Sequence, residues 1–171
     1  MTGQRLHITQ GQHAVGDTPD TVIVTLLGSC VSCCIWDEVA GVGGMNHMLL
    51  TVGGRRTGAC SLAGINAMEL LINDILKLGG ERPRLRAKAF GGATMVTGLS
   101  DVGPLNSTFT LEYLAQEGID CLGHSLGGTL ARNIMFWPAT GRVLQKISRD
   151  ARIDPALPAP PETPGNGIEL L

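Results

Sequence analysis

Two periods of apolar and polar positions run along the chain. "TVIVTLL" (21–27) and "VSCCIW" (31–36) are short apolar runs and read as buried strands. "RLHIT" (5–9) has the look of an edge strand, and "GGMNHMLLTV" (43–52) of a further strand. The period then changes. In "SLAGINAMELLINDILKLGG", Ile65, Met68, Leu71, Ile72 and Ile75 recur at three- and four-residue spacing, which predicts a helix capped by Ser61 and stopped at Gly79. "LRAKAFGGATM" predicts a strand running into a glycine turn. A second helix is expected over 108–117, with Asn106 or Ser107 as cap and Gly118 as stop. "IDCLGHSLGG", "RNIMFWP" and "GRVLQKIS" read as three closing strands, the last two joined at "ATG". Two helices among seven or so strands point to an α/β (α+β) fold, a layered sandwich of mixed β-sheets flanked by helices.

From about Asp154 the pattern stops. "DPALPAPPETPGNG" holds five of the nine prolines and no apolar period, so 1–153 reads as one domain and 154–171 as a Pro-rich flexible tail. At 171 residues, 43% hydrophobic and 16% charged, the chain can bury a proper core. A net charge of -2 with no basic run gives no footprint for nucleic acid. No stretch approaches the roughly 18 consecutive apolar residues of a membrane span, and the N-terminal residues lack a secretory pattern. A cytoplasmic protein is expected, in which an odd count of five cysteines reads as free thiols.

Three of those cysteines crowd into "LLGSCVSCCIWD" (26–37). Cys30, Cys33, Cys34 and His47 could be written as a zinc set, and Cys30-Val-Ser-Cys33 as a redox pair. Strand parity opposes both: in an extended 31–36, Cys30 and Cys34 face one way and Cys33 the other. No metal and no organic cofactor is therefore expected. Cys33, Cys34, Cys60 and Cys121 read as small buried hydrophobes. Cys30 differs, because Gly28 and Ser29 before it form a turn that can expose its thiol and nearby N–H groups, as acyl chemistry requires. A cysteine nucleophile also needs a base. His7 and His13 have no supporting residues and His124 is a weak candidate, whereas His47 lies on a strand one short connection after Cys30. Spacing alone leaves a satisfied core histidine as good a reading of His47 as a catalytic one.

The motifs "LGSCVSCCIWD", "GVGGMNHMLL", "AKAFGGATM" and "MFWPATGRV" occur here in the order found in CheD, the chemoreceptor glutamine deamidase family, which the chain resembles from about Gly11 to Lys146. The resemblance implies a fold similar to the cytotoxic necrotizing factor type of cysteine hydrolase. It implies a protein-glutamine deamidase that also acts on receptor glutamyl methyl esters, with Cys30 as nucleophile and His47 as general base and acid. The third catalytic position is matched by Thr25, with Thr21 as the fallback because "TLLGSC" is one residue shorter than a spacing found in the family. Ser29, Gly28 and Asn46 are expected beside the substrate or the oxyanion. Expected partners are the cytoplasmic domains of chemotaxis receptors and a CheC-type phosphatase. The alternative reading is a chemotaxis adaptor that docks on that phosphatase or on receptors. Thr51 in place of proline, Ser125 in place of aspartate and Ala63 in place of tyrosine depart from the family pattern without touching Cys30 or His47.

Overall fold

The computed structural model describes residues 3–49, 58–95, 102–148 and 168–170, with the side chains of 58–61 and 168–170 left aside. The first sheet has the order β1-β3-β8-β9-β10, built from Arg5–His7, Val22–Leu27, Ala131–Trp137, Arg142–Ser148 and Ile168–Leu170. The second has the order β2-β5-β4-β6-β7, built from His13–Gly16, Val42–Asn46, Val31–Asp37, Arg86–Gly91 and Asp120–Leu126. Each is mixed: β1 runs parallel to β3 and β6 parallel to β7, while the other pairs are antiparallel. Helices α1 (Gly58–Lys77) and α2 (Val102–Gln116) cover the second sheet, and a short 3-10 turn, Arg82–Arg84, leads into β6. The layers are therefore helices, second sheet, first sheet.

Strand β4 explains why the cysteine run is so apolar. It is buried along its whole length, and its alternate residues feed two different cores. Val31, Cys33 and Ile35 pack under the helices against Met68, Leu71, Ile72, Ile75 and Leu114. Cys34 and Trp36 face the other way, between the sheets, with Ile23, Leu27, Phe90, Ile134 and Phe136. A strand covered on both faces has no polar side to show, so it reads as a continuous apolar run.

The layered α/β architecture agrees with the sequence reading, with differences at several element ends. α1 buries Gly64, Met68, Leu71, Ile72 and Ile75, but Ile65, one turn before Met68, is 43% exposed, at the margin of that buried face. α2 starts at Val102 rather than 108. Pro104 sits in its first turn, where a missing N–H costs nothing. β5 ends at Asn46, and beyond it only Met48 bridges to Val31; residues 50–52 of the expected strand lie outside the described residues. Ile168–Leu170 pair antiparallel with β9 and close one edge of the first sheet, although they fall in the tail expected to be flexible. Residues 154–167 of that tail are outside the description. Among the described residues no helix is long and apolar enough to cross a membrane.

Candidate active site

Residues 28–30 carry the chain from β3 in the first sheet to β4 in the second, so Cys30 sits at the crossing between the two sheets. Each carbonyl of this loop is tied down. Gly28 O accepts from Ala93 N–H at 3.0 Å and Cys30 O from Gly92 N–H at 2.9 Å. Ser29 O accepts from the Asn106 side-chain amide at 2.9 Å. The glycine pair ending β6 makes this contact possible. Gly91 and Gly92 have φ of 108° and 66°, and a Cβ on them would lie 2.2 Å from Cys30 O and 2.0 Å from Ser107 Oγ. The buried Arg132 guanidinium donates to Gly91 O at 3.1 Å, and also to the carbonyls of Ser125 and Gly127, fixing the same turn from behind.

His47 reaches this loop through sheet register. Val31 and Met48 exchange backbone hydrogen bonds of 3.0 and 2.8 Å, which puts Ser32 opposite His47 and makes Cys30 a diagonal neighbour on the same face. Such diagonal positions lie about 7–8 Å apart along the backbone, within reach of a ring. From the facing sheet, Thr25 Oγ1 donates to Ile8 O at 2.8 Å. Its single proton thus spent, the hydroxyl oxygen accepts from His47 Nδ1–H, at 2.7 Å. That assignment follows from the hydrogen-bond network and leaves the ring's lone pair on Nε2, the nitrogen a general base needs. Thr25 is 3% exposed and His47 8%, so water does not compete for the contact.

Burial also sets the charge state. It pushes the Cys30 thiol up to about 11 and lowers His47 from its ordinary 6.5 to about 4. Both shifts favour the neutral forms, thiol and imidazole, at neutral pH. Cys33 and Cys34, fully buried, are raised further by the same desolvation.

The remaining expectations divide. Thr21 bonds Thr18 Oγ1 at 2.6 Å, so Thr25 and not Thr21 is the threonine that touches His47. Asn46 was expected beside the substrate, but its side chain lies on the helix side of the sheet. Its Oδ1 accepts from Cys33 N–H at 2.9 Å and its Nδ2 donates to Met68 Sδ at 3.4 Å. There it replaces a ladder bond where β5 ends. Ser29 and Gly28 do belong to the Cys30 loop. His13 pairs with Asp74 at 2.7 Å and His7 with Arg5, away from Cys30. Thr51 and the Cys60 side chain lie outside the described residues. No group of three or more His, Cys, Asp or Glu among the described residues is placed to hold a metal ion. Asn106 and the Ile8 carbonyl were missed: the first looked like a helix cap, and a backbone carbonyl leaves no mark in a sequence.

A family model described as CheD chemotactic sensory transduction matches residues 52–147. A probable chemoreceptor glutamine deamidase CheD of Caulobacter vibrioides (strain NA1000 / CB15N) is 48% identical over 164 residues, covering 94% of this chain and 88% of the relative. The chain belongs to the CheD family. That alignment necessarily takes in Thr25, Cys30 and His47, which precede the stretch matched by the family model. A second CheD relative, from Acidiphilium cryptum (strain JF-5) and bearing the same name, is 46% identical over 182 residues, covering 98% of this chain and 94% of the relative. Among solved structures, the Bacillus licheniformis hypothetical protein YfiH aligns with a TM-score of 0.45 at 15% identity, covering 66% of this chain and 49% of that one.

Proposed function

We propose that the chain is a protein-glutamine deamidase that converts selected glutamine side chains of chemotaxis receptors to glutamate, with Cys30 as nucleophile and His47 as general base and acid. One observation carries this reading. Thr25 fixes the tautomer of His47 through Nδ1, on the sheet face that Cys30 shares. The names of the CheD relatives supply the substrate class.

His47 Nε2 takes the thiol proton as sulfur attacks the carboxamide carbon. A C–S bond forms, and the C=O π pair moves onto oxygen. Backbone N–H groups of Ser29 and Cys30 receive that oxyanion. Collapse expels the amine, His47 returns the proton, and ammonia leaves a glutamyl thioester. Water then adds, its proton going to His47, and the second tetrahedral species releases glutamate and the Cys30 thiol. The same route hydrolyses a glutamyl methyl ester, with methanol as leaving group.

The test is incubation with receptor cytoplasmic fragments, reading ammonia release and the +1 Da mass change of each target peptide, roughly the NH₂-to-OH exchange of a deamidation. Wild type converts glutamines and Cys30→Ala does not. Unchanged glutamines with wild type reject the activity on those receptors, and equal rates with Cys30→Ala reject the nucleophile.

A further inference from the structure

The loop before Cys30 is held by its carbonyls from one side only. Gly28 O and Ser29 O are both bound by the wall formed by residues 91–93 and α2. A trans peptide sets C=O and N–H antiparallel, and the described chain has no cis peptide. Tying the two carbonyls to the wall therefore turns the Ser29 and Cys30 N–H groups away from it. Among the described residues, neither N–H has a partner, whereas the next, Val31 N–H, is used by Met48 O.

The tethers differ in kind. Gly28 O and Cys30 O are held by backbone amides, which no side-chain truncation removes. The peptide between Ser29 and Cys30, whose N–H belongs to the nucleophile itself, is held by the Asn106 side chain. Asn106 is 0% exposed, in the second turn of α2. That helix presses directly on the glycine turn: a Cβ at Gly103 would lie 2.3 Å from Gly92 O. Asparagine is a mediocre helix former, so its place here calls for something only a carboxamide supplies. A carboxylate cannot donate to Ser29 O, and an aliphatic side chain would fill the space without orienting the peptide.

We propose that Asn106 is a positioning residue, which aims the Cys30 N–H at the oxyanion by fixing the Ser29–Cys30 peptide plane. The proposal rests on the reading of Cys30 as nucleophile. Negative charge appears on the substrate oxygen only as the C–S bond forms, so an aimed N–H stabilises the transition state more than bound substrate. Losing the tether therefore lowers kcat and leaves KM nearly alone.

The experiment compares the full chain with Asn106→Ala, Asn106→Asp and Cys30→Ala on a receptor cytoplasmic fragment, with iodoacetamide alkylation of Cys30 measured in parallel. Alkylation displaces iodide and builds no oxyanion. The expected result is a kcat lowered about 10- to 100-fold in both Asn106 variants, with KM and the alkylation rate within about threefold of wild type. Asn106→Asp preserves shape while losing the donor, and carries the comparison should Asn106→Ala fail to fold. If Asn106→Asp keeps a wild-type kcat while Cys30→Ala is inactive, the positioning role is wrong and the nucleophile stands. Parallel losses in kcat and alkylation also overturn it, since the loop as a whole has then moved. Activity retained by Cys30→Ala removes the reading underneath.

Discussion

Thr25 and His47 come from different sheets, and the 2.7 Å hydrogen bond between them spans the sandwich next to the Cys30 loop. The orientation of the His47 ring therefore depends on how the two sheets are stacked, and one hydroxyl serves both ends: it accepts from His47 and donates to Ile8 O.

Replacing Thr25 by valine keeps the shape and removes that hydroxyl. The Ile8 carbonyl and His47 Nδ1–H are then buried without a partner, a loss of about 1–3 kcal/mol in stability. With its tautomer no longer held, His47 loses much of a general-base contribution of about 10²–10⁴-fold, so kcat drops by at least about tenfold. Thr25→Ser keeps the hydroxyl and stays near wild type. Denaturant unfolding and steady-state deamidation measure the two effects; a Thr25→Val enzyme with unchanged kcat would rule out the orienting role.

The glycine turn under Cys30 gives a second, paired prediction. Gly92 and Gly118 have nearly the same φ, 66° and 68°, but nothing lies within 4 Å of a Cβ at Gly118, whereas one at Gly92 meets Ser107 Oγ at 2.0 Å. Gly118→Ala costs only the left-handed strain, about 1–2 kcal/mol. Gly92→Ala adds overpacking of about 1–3 kcal/mol and pushes Ser107 off Gly103 O, to which it donates at 2.9 Å. Of the two, only Gly92→Ala should lower deamidation, because only Gly92 touches the Cys30 loop. Equal effects on stability and activity from the two substitutions would refute the close-approach account.

Local rules made much of this legible. Period-two alternation separated Cys33 from Cys34, and the structure sends them into different cores. The Gly-Ser turn marked Cys30, and the run of buried residues marked β4. Long-range partners left no such trace. Asn106 carries the residue type of a helix cap, and nothing near it announces Ser29 as its partner 77 residues away. Thr21 and Thr25 share a strand face, so parity could not choose between them; the choice is made by where the second sheet brings His47. β2 and β10 were missed because each is a short strand completed by a neighbour's edge rather than by its own apolar pattern.

Cysteine labelling tests the charge state of the pair. Cys33 and Cys34 are fully buried, while Cys30 is half-buried with its thiol raised by burial to about 11. Iodoacetamide should modify Cys30 in the folded protein and reach Cys33 and Cys34 only on unfolding. The Cys30 rate should keep climbing with pH beyond about 8.5, where an ordinary thiol levels off. A rate already at its plateau below pH 7 would instead reveal a preformed thiolate–imidazolium pair.

The acid side is governed by His47, which burial lowers from 6.5 to about 4. Folding favours the neutral imidazole, so between those values the unfolded chain binds the proton more readily than the folded one. The stability it confers is fully present above about 6.5 and is lost as pH falls toward about 4, by up to about 3 kcal/mol. Carboxylates such as Asp37, where Arg84 and the backbone amides of Glu81 and Ala40 outweigh burial and hold the group near 2, respond at lower pH. Denaturant unfolding at pH 7 and pH 5 should therefore show a decline that is absent in His47→Asn. In the active enzyme, kcat/KM should stay level well below the ordinary histidine range and fall only as pH approaches about 4. An acid limb centred near 6.5 would mean that His47 titrates as if it were in water, and would contradict a base buried against Thr25.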